Sequence, residues 1–252
     1  MPFIDNSSLP VSISFIVEKL GLTSPLQLSV LQLANLEQRL ESGDLEPGVF
    51  LDTPEQEQYN RYQYKKRKLE WLGGRLAAKK AALKMAGEEP SWQAMLAWPV
   101  AADENGRPFF RSQQSSSLRL SISHSGELAG ALVVSGKECG LDLQKISSAT
   151  VRVKEKFCSP TENDIISTLQ SEAMPDSGLT LLWSAKEALR KARGGNPLTG
   201  FLEMELVEAV PTSEAAWIFT IKAKNILYRI IVFFYNDFAF AMTTTPLDQE
   251  RN

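Results

Sequence analysis

The stretch GLDLQKI, residues 140–146, sets one carboxylate between two leucines. It follows the apolar run Leu128–Val134, which places it inside a sheet. Side chains two apart on a strand share a face. Leu141 and Leu143 are therefore expected in the core, with Asp142 and Gln144 together on the opposite side. A carboxylate beside an amide oxygen offers two ligands to a hard cation. Read alone, the strand is more simply one with a solvated face. The stretch LLWSAKEALRK, residues 181–191, reads as a helix with Leu182, Ala185 and Leu189 towards the core. Trp183, Glu187 and Lys191 then fall at i, i+4 and i+8 on another face, with Lys186 and Arg190 nearby. Read alone, this is a common exposed Glu-to-Lys pair, worth about 0.3–0.5 kcal/mol.

A third group lies in RYQYKKRKLEWLGGRLAAKKAALK, where Arg61, Lys65, Lys68, Arg75 and Lys79 line one stripe if the helix is continuous. Leu69, Leu72, Leu76 and Leu83 run beside that stripe, so the cations border buried surface. Such a stripe can hold phosphate. Lysines snorkelling off an apolar face, or a nucleic-acid-binding helix, are the alternatives. The formal net charge of −3 and the few aromatics near the stripe speak against nucleic acid. His124, between Ser123 and Ser125, is either a structural hydrogen-bonder at a strand end or a donor to a phosphate.

The remaining composition narrows the chemistry. With one histidine there is no HExxH or multi-histidine metal site, so any metal is held by oxygens, which favours Mg²⁺ or Mn²⁺. Cys139 and Cys158 have no CxxC spacing and read as reduced, buried small hydrophobes. An apolar fraction of 43% and a charged fraction of 23% are those of an ordinary globular protein. The start MPFIDNSSLP lacks a basic region and hydrophobic core, and no run has the length of a membrane span. The cytoplasm is the expected compartment, with no membrane partner.

The elements that must position these side chains follow from pattern. VSISFIV (11–17) reads as a weak strand and the segment around Leu26–Leu40 as a helix. A helix is expected to start at Thr53-Pro54 and run to about Met85, with Gly73-Gly74 as a possible break. ADENGRPFF (102–110) is a turn into a strand, SLRLSISHS alternates as a half-buried strand, and strands follow at 128–134 and 141–146. A helix-rich section covers 151–193, and WIFTIKA, ILYRIIVFFY and FAFAMTTT close the chain as strands. No residue-level repeat is evident, but each half is helices plus an antiparallel meander. The expected class is α+β, with two related modules, 1–135 and 136–252, packed face to face.

The order GRLAAKKA, NGRPFF, SISHS, GLDLQ and WSAKEALRK resembles the 4′-phosphopantetheinyl transferases of the larger, surfactin-synthetase-activator type. These enzymes carry GR-x-AAK, GKP, SHS, G-(I/V)-D-(I/L)-E and W-(S/T)-x-KE-A-xx-K in that order, and the match spans about residues 55–200. The resemblance implies a monomeric pseudo-dimer of two similar α+β modules, with the site in the cleft between them and the metal-binding residues on the C-terminal module. It implies transfer of the phosphopantetheine arm of coenzyme A to a serine of an apo acyl or peptidyl carrier protein, releasing 3′,5′-ADP. By the same resemblance Asp142 and Glu187 hold Mg²⁺ with Gln144 as a further ligand. Lys191 lies on the phosphates with Lys186 as a second candidate cation. Glu187, or a water it orients, takes the serine proton. Arg75, Arg107 and His124, assisted by Ser123, contact the nucleotide end.

Two departures stand out. GKP is here Gly106-Arg107-Pro108, which keeps the positive charge, and the second acid of the D-x-E pair is Gln144, which can ligate a metal but adds no charge. The competing reading is a non-catalytic coenzyme A or carrier-protein binding module whose metal site has decayed. Retention of both carboxylates and Lys191 favours the enzyme.

Overall fold

Two helix starts of the same design anchor the architecture. Asp52 caps the helix Thr53–Arg61 and exchanges hydrogen bonds with Glu55, while Ser159 caps Pro160–Ser167 and exchanges them with Glu162. Each is a capping box with proline in the first turn, satisfying backbone donors that a helix start leaves open. The computed structural model describes residues 1–112, 116–169, 176–195 and 198–246. It divides into two compact units, one of Met1–Ser8 with Ser24–Gly136, the other of Leu9–Thr23 with Lys137–Asn252. The stretch Leu9–Thr23, given to the first module by the sequence reading, groups with the second unit.

In the first unit β1 (Leu26–Gln32) is followed by α2 (Leu33–Glu41), α3 (Thr53–Arg61) and α4 (Lys65–Met85). Then come β2 (Val100–Ala102), β3 (Pro108–Phe110), β4 (Leu118–Ser125) and β5 (Leu128–Ser135). The strand order is β1-β5-β4, with β2 and β3 as a separate ribbon. In the second unit α1 (Ile13–Lys19) comes from the N-terminal stretch. β6 (Cys139–Lys145) is followed by α5 (Ala149–Arg152), α6 (Pro160–Ser167) and α7 (Ser177–Arg193). The unit closes with β7 (Met204–Pro211), β8 (Ala216–Ala223), β9 (Ile226–Tyr235) and β10 (Phe238–Thr244), in the order β6-β10-β9-β8-β7. Both units thus run strand, helices, four strands, and in both the first strand pairs antiparallel with the last. The fold is α+β, with two topologically similar modules.

Several sequence expectations give way to local physics. VSISFIV is not a strand: the Ser12 hydroxyl accepts from the Phe15 N–H and starts α1, which buries Phe15 and Ile16. The segment 26–40 is a strand and then a helix, because Leu26, Leu28 and Val30 alternate into the core before helical periodicity begins. The long helix breaks at Tyr62-Gln63-Tyr64 and not at Gly73-Gly74. Those glycines lie inside α4, where a Cβ would press on Leu33 and Ala129 at one position and Ile122 at the other. They are small because the helix lies close on the sheet. β7 was missed, although Met204 and Leu206 alternate inward. Residues 170–175 of the expected helix-rich section lie outside the described residues. The two cysteines are buried and not joined in a disulfide, and no helix among the described residues is long and apolar enough to cross a membrane.

Candidate active site

The second unit brings the two chemistry-bearing stretches together because α7 lies directly on β6. At Gly140 a Cβ would overlap the carbonyl oxygen of Ala188, so only glycine allows this approach. The strand alternates as expected: Leu141 and Leu143 are buried on one face. The face carrying Asp142 is covered by α7 instead of solvent, and Asp142 is buried.

Across that seam Lys191 Nζ donates to Asp142 Oδ1 at 2.9 Å and to the Leu141 carbonyl at 2.9 Å. Glu187 precedes Lys191 by one helical turn. Burial raises its carboxyl pKa most; Arg190 pulls it down, the charge of Asp142 pushes it up, and Lys191 pulls it down. Gln144, half-buried, is two residues beyond Asp142 on the strand, and its amide nitrogen donates to the Lys145 carbonyl at 3.4 Å.

These residues suit a hard divalent cation. Two carboxylates and an amide oxygen are oxygen ligands of the right kind, and the repulsion that Glu187 feels from Asp142 is what a cation between them relieves. Among the described residues no three His, Cys, Asp or Glu side chains form a metal cluster. The protein's share of such an ion's shell would therefore be small, with water and phosphate supplying the rest.

Lys186 requires a correction. Its side chain is 0% exposed, and Nζ donates to Glu162 Oε1 at 2.6 Å, to the Phe157 carbonyl at 2.6 Å and to the Phe201 carbonyl at 3.2 Å. All three ammonium hydrogens are engaged inside the core, so Lys186 does not reach a phosphate. Trp183 is also structural: it meets Phe157 edge-on at 5.1 Å between centroids and packs on Phe201 at 4.9 Å. The sequence reading missed Glu162, whose signal is its place at the third position of a capping box.

The basic stripe disperses in the same way. Arg61 ends α3, and Lys65 pairs with Glu37 and Glu41 at the surface. Lys68 Nζ lies 4.1 Å from the Tyr59 ring centroid. Lys79, 0% exposed, donates to Glu55 Oε2 at 2.7 Å and to the Phe50 and Met95 carbonyls at 2.8 and 3.3 Å. Arg75 is arranged differently. Its guanidinium carbon lies 3.8 Å from the Trp71 ring centroid, its buried Nε has no hydrogen-bond partner among the described residues, and burial pushes its pKa down to about 10. It lines a cavity of about 440 Å³ together with Tyr62, Trp71 and Arg111.

Arg107 follows the tight turn Asp103–Gly106, where its N–H donates to Asp103 Oδ1 at 2.8 Å. Ser123 is buried in β4. His124 Nε2 lies 3.1 Å from Arg67 Nη1 and Nδ1 lies 3.7 Å from Glu70 Oε2. A guanidinium only donates, so Nε2 accepts there and the ring proton of a neutral imidazole sits on Nδ1.

Comparison with known proteins points to one family. The sequence model of the 4′-phosphopantetheinyl transferase superfamily matches residues 138–243. A 4′-phosphopantetheinyl transferase of Bacillus subtilis is 26% identical over 163 residues, covering 58% of this chain and 69% of that one. A holo-[acyl-carrier-protein] synthase of Exiguobacterium sibiricum is 34% identical over 110 residues, covering 41% of this chain and 84% of the relative. Among solved structures, a holo-(acyl-carrier-protein) synthase from Bacillus anthracis in complex with CoA (3′,5′-ADP) is 28% identical. That structure covers 44% of this chain and 93% of its own, with a TM-score of 0.39. Residues 138–243, matched by the family model, include Asp142, Glu187 and Lys191, and the chain belongs to the 4′-phosphopantetheinyl transferase superfamily.

Proposed function

We propose that the protein transfers the 4′-phosphopantetheine arm of coenzyme A to a serine hydroxyl of an apo acyl or peptidyl carrier protein, giving holo carrier and 3′,5′-ADP, as an enzyme of the larger two-module type. The observation that carries this reading is the seam of buried Asp142 with half-buried Glu187 and Lys191, held by α7 lying on β6. It gathers two carboxylates and an ammonium in a place partly withdrawn from water, where charges act strongly on one another.

The serine oxygen attacks the β-phosphorus of coenzyme A, and the bond from that phosphorus to the bridging oxygen breaks. Charge gathers on the leaving phosphate of 3′,5′-ADP. The Lys191 ammonium, fixed by Asp142 and the Leu141 carbonyl, is the chain's own cation for that charge. Glu187 is the group to accept the serine proton, directly or through a water, since burial has raised its affinity for protons above that of an ordinary carboxylate. Asp142, Glu187 and Gln144 are the residues that would hold Mg²⁺, or Mn²⁺. When bound, such an ion supplies charge neutralisation to the pyrophosphate. The nucleotide end is assigned to Arg75, Arg107 and His124, with Ser123 assisting. The unpartnered Nε of Arg75 on the wall of a cavity supports its part.

Incubation of the protein with coenzyme A, Mg²⁺ and a panel of apo carrier proteins, read by mass spectrometry, tests this. A phosphopantetheine adduct on at least one carrier, lost on chelation, is expected. Binding of coenzyme A with no adduct on any carrier would favour the non-catalytic module instead.

A further inference from the structure

Three lysines are buried among the described residues, and they are not alike. Lys79 and Lys186 each have a carboxylate and two backbone carbonyls around the ammonium group. Lys137, between β5 and β6, is only 6% exposed. Yet no hydrogen bond or ion pair engages it among the described residues. The ammonium groups of Lys79 and Lys186 are each closed against a carboxylate, whereas that of Lys137 is not.

Lys137 lines a cavity of about 170 Å³ with Leu20, Leu227, Arg229, Thr244 and Thr245. The pleat fixes which of these side chains share a side. Tyr228 belongs to the core cluster beneath α7, so Arg229 lies on the face of β9 turned away from α7. Ala239 and Ala241 belong to that same cluster, so Thr244 lies on the corresponding face of β10. Asp142 meets Lys191 of α7, so the candidate catalytic residues occupy the other face of the same sheet. No carboxylate is among the lining residues.

We propose that this cavity is a second anion site, which takes a small phosphate-like oxyanion between Lys137 and Arg229, with Thr244 and Thr245 hydroxyls as further donors. The volume accommodates a single oxyanion group, free or at the end of an ester. Two cations and two hydroxyls are donors only a multiply charged oxyanion uses fully. The site is separate from the transfer reaction and does not depend on the function assigned above.

Titration of inorganic phosphate into the ¹⁵N-labelled protein, followed by the backbone amides of Leu20, Lys137 and Thr245, tests the proposal. The full chain carrying Lys191→Ala removes competition from the candidate catalytic seam. Saturable shifts at these amides are expected in both proteins, with acetate giving none. Lys137→Met, which keeps the apolar stem, weakens binding by about tenfold or more. Should Lys137→Met not fold, Arg229→Gln is the substitute and is expected to weaken binding in the same direction. Absence of shifts in the wild type would overturn the site, as would phosphate shifts that persist undiminished in Lys137→Met or Arg229→Gln. A phosphoserine arm separates sources: equal shifts identify a site for phosphate esters, while shifts with phosphate alone identify the free ion.

Discussion

Asp142 and Lys186 invert what their sequence contexts suggest. Asp142, alone between two leucines, reads as a residue on a wet face, but the seam with α7 makes it a buried partner of Lys191. Lys186 stands beside Glu187 in a motif that speaks of phosphates, but its ammonium is spent on Glu162 and two carbonyls. Asp142→Ala and Glu187→Ala are each expected to abolish carrier modification, measured as holo carrier formed over time, whereas Gln144→Glu retains it and shifts metal preference. Robust turnover by Asp142→Ala would remove the metal assignment. A different residue reports on pH. Lys80 Nζ lies 4.1 Å from the Phe3 ring centroid, and burial, then Lys84, push its pKa down to about 8, with Asp5 opposing. The unfolded chain therefore holds that proton more tightly, and the wild type gains stability as pH rises from about 8 towards the free-lysine value near 10.4. Lys80→Met is expected to lose this gain, seen by comparing urea midpoints of both proteins below and above that range. The same pH response in both would refute it.

At the scale of elements, position was legible where one periodicity dominated and illegible where a cap or a partner decided. β4, β5 and β6 follow from alternation and continuous apolar runs. α1 does not, because V-S-I-S-F-I-V alternates like a strand and only the Ser12 cap tips it into a helix. The break between α3 and α4 was misplaced because glycines are common helix breakers, while here they serve close packing against the sheet. The role of Lys186 was illegible because its partner sits in another helix. Lys186→Met would leave Glu162 buried with only the Ser159 and Leu206 N–H groups, and loss of one partner from such a pair costs about 3–5 kcal/mol. A large fall in melting temperature is therefore expected, with the KM for coenzyme A unchanged at temperatures where the variant is folded. A raised KM with unchanged stability would return Lys186 to the phosphates.

At the scale of the molecule, the two units repeat a device that residue identity conceals. Phe50, the capped Glu55 and Lys79 in the first unit correspond to Phe157, Glu162 and Lys186 in the second. In each, the lysine follows the phenylalanine by 29 residues and the glutamate by 24. Each glutamate also accepts a strand N–H, from Val100 45 residues on or from Leu206 44 residues on. One glutamate thus ties a helix start, a long helix and the next strand together in each unit. The motif F-x-(D/S)-x-x-E was present in the chain, but a handful of matching residues across more than a hundred positions rises above chance only when both sets make the same contacts. The two ties also belong to separate hydrophobic clusters, one around α4 and one around α7. Each should therefore stabilise its own unit first, since local opening follows local contacts. Lys79→Met is expected to speed amide exchange in α3, β2 and the middle of α4, while β7 and α7 keep wild-type protection under native conditions. Lys186→Met should give the reverse pattern. Uniform loss of protection from either variant would mean that the units open only together, and that the duplicated tie secures one cooperative fold instead of two.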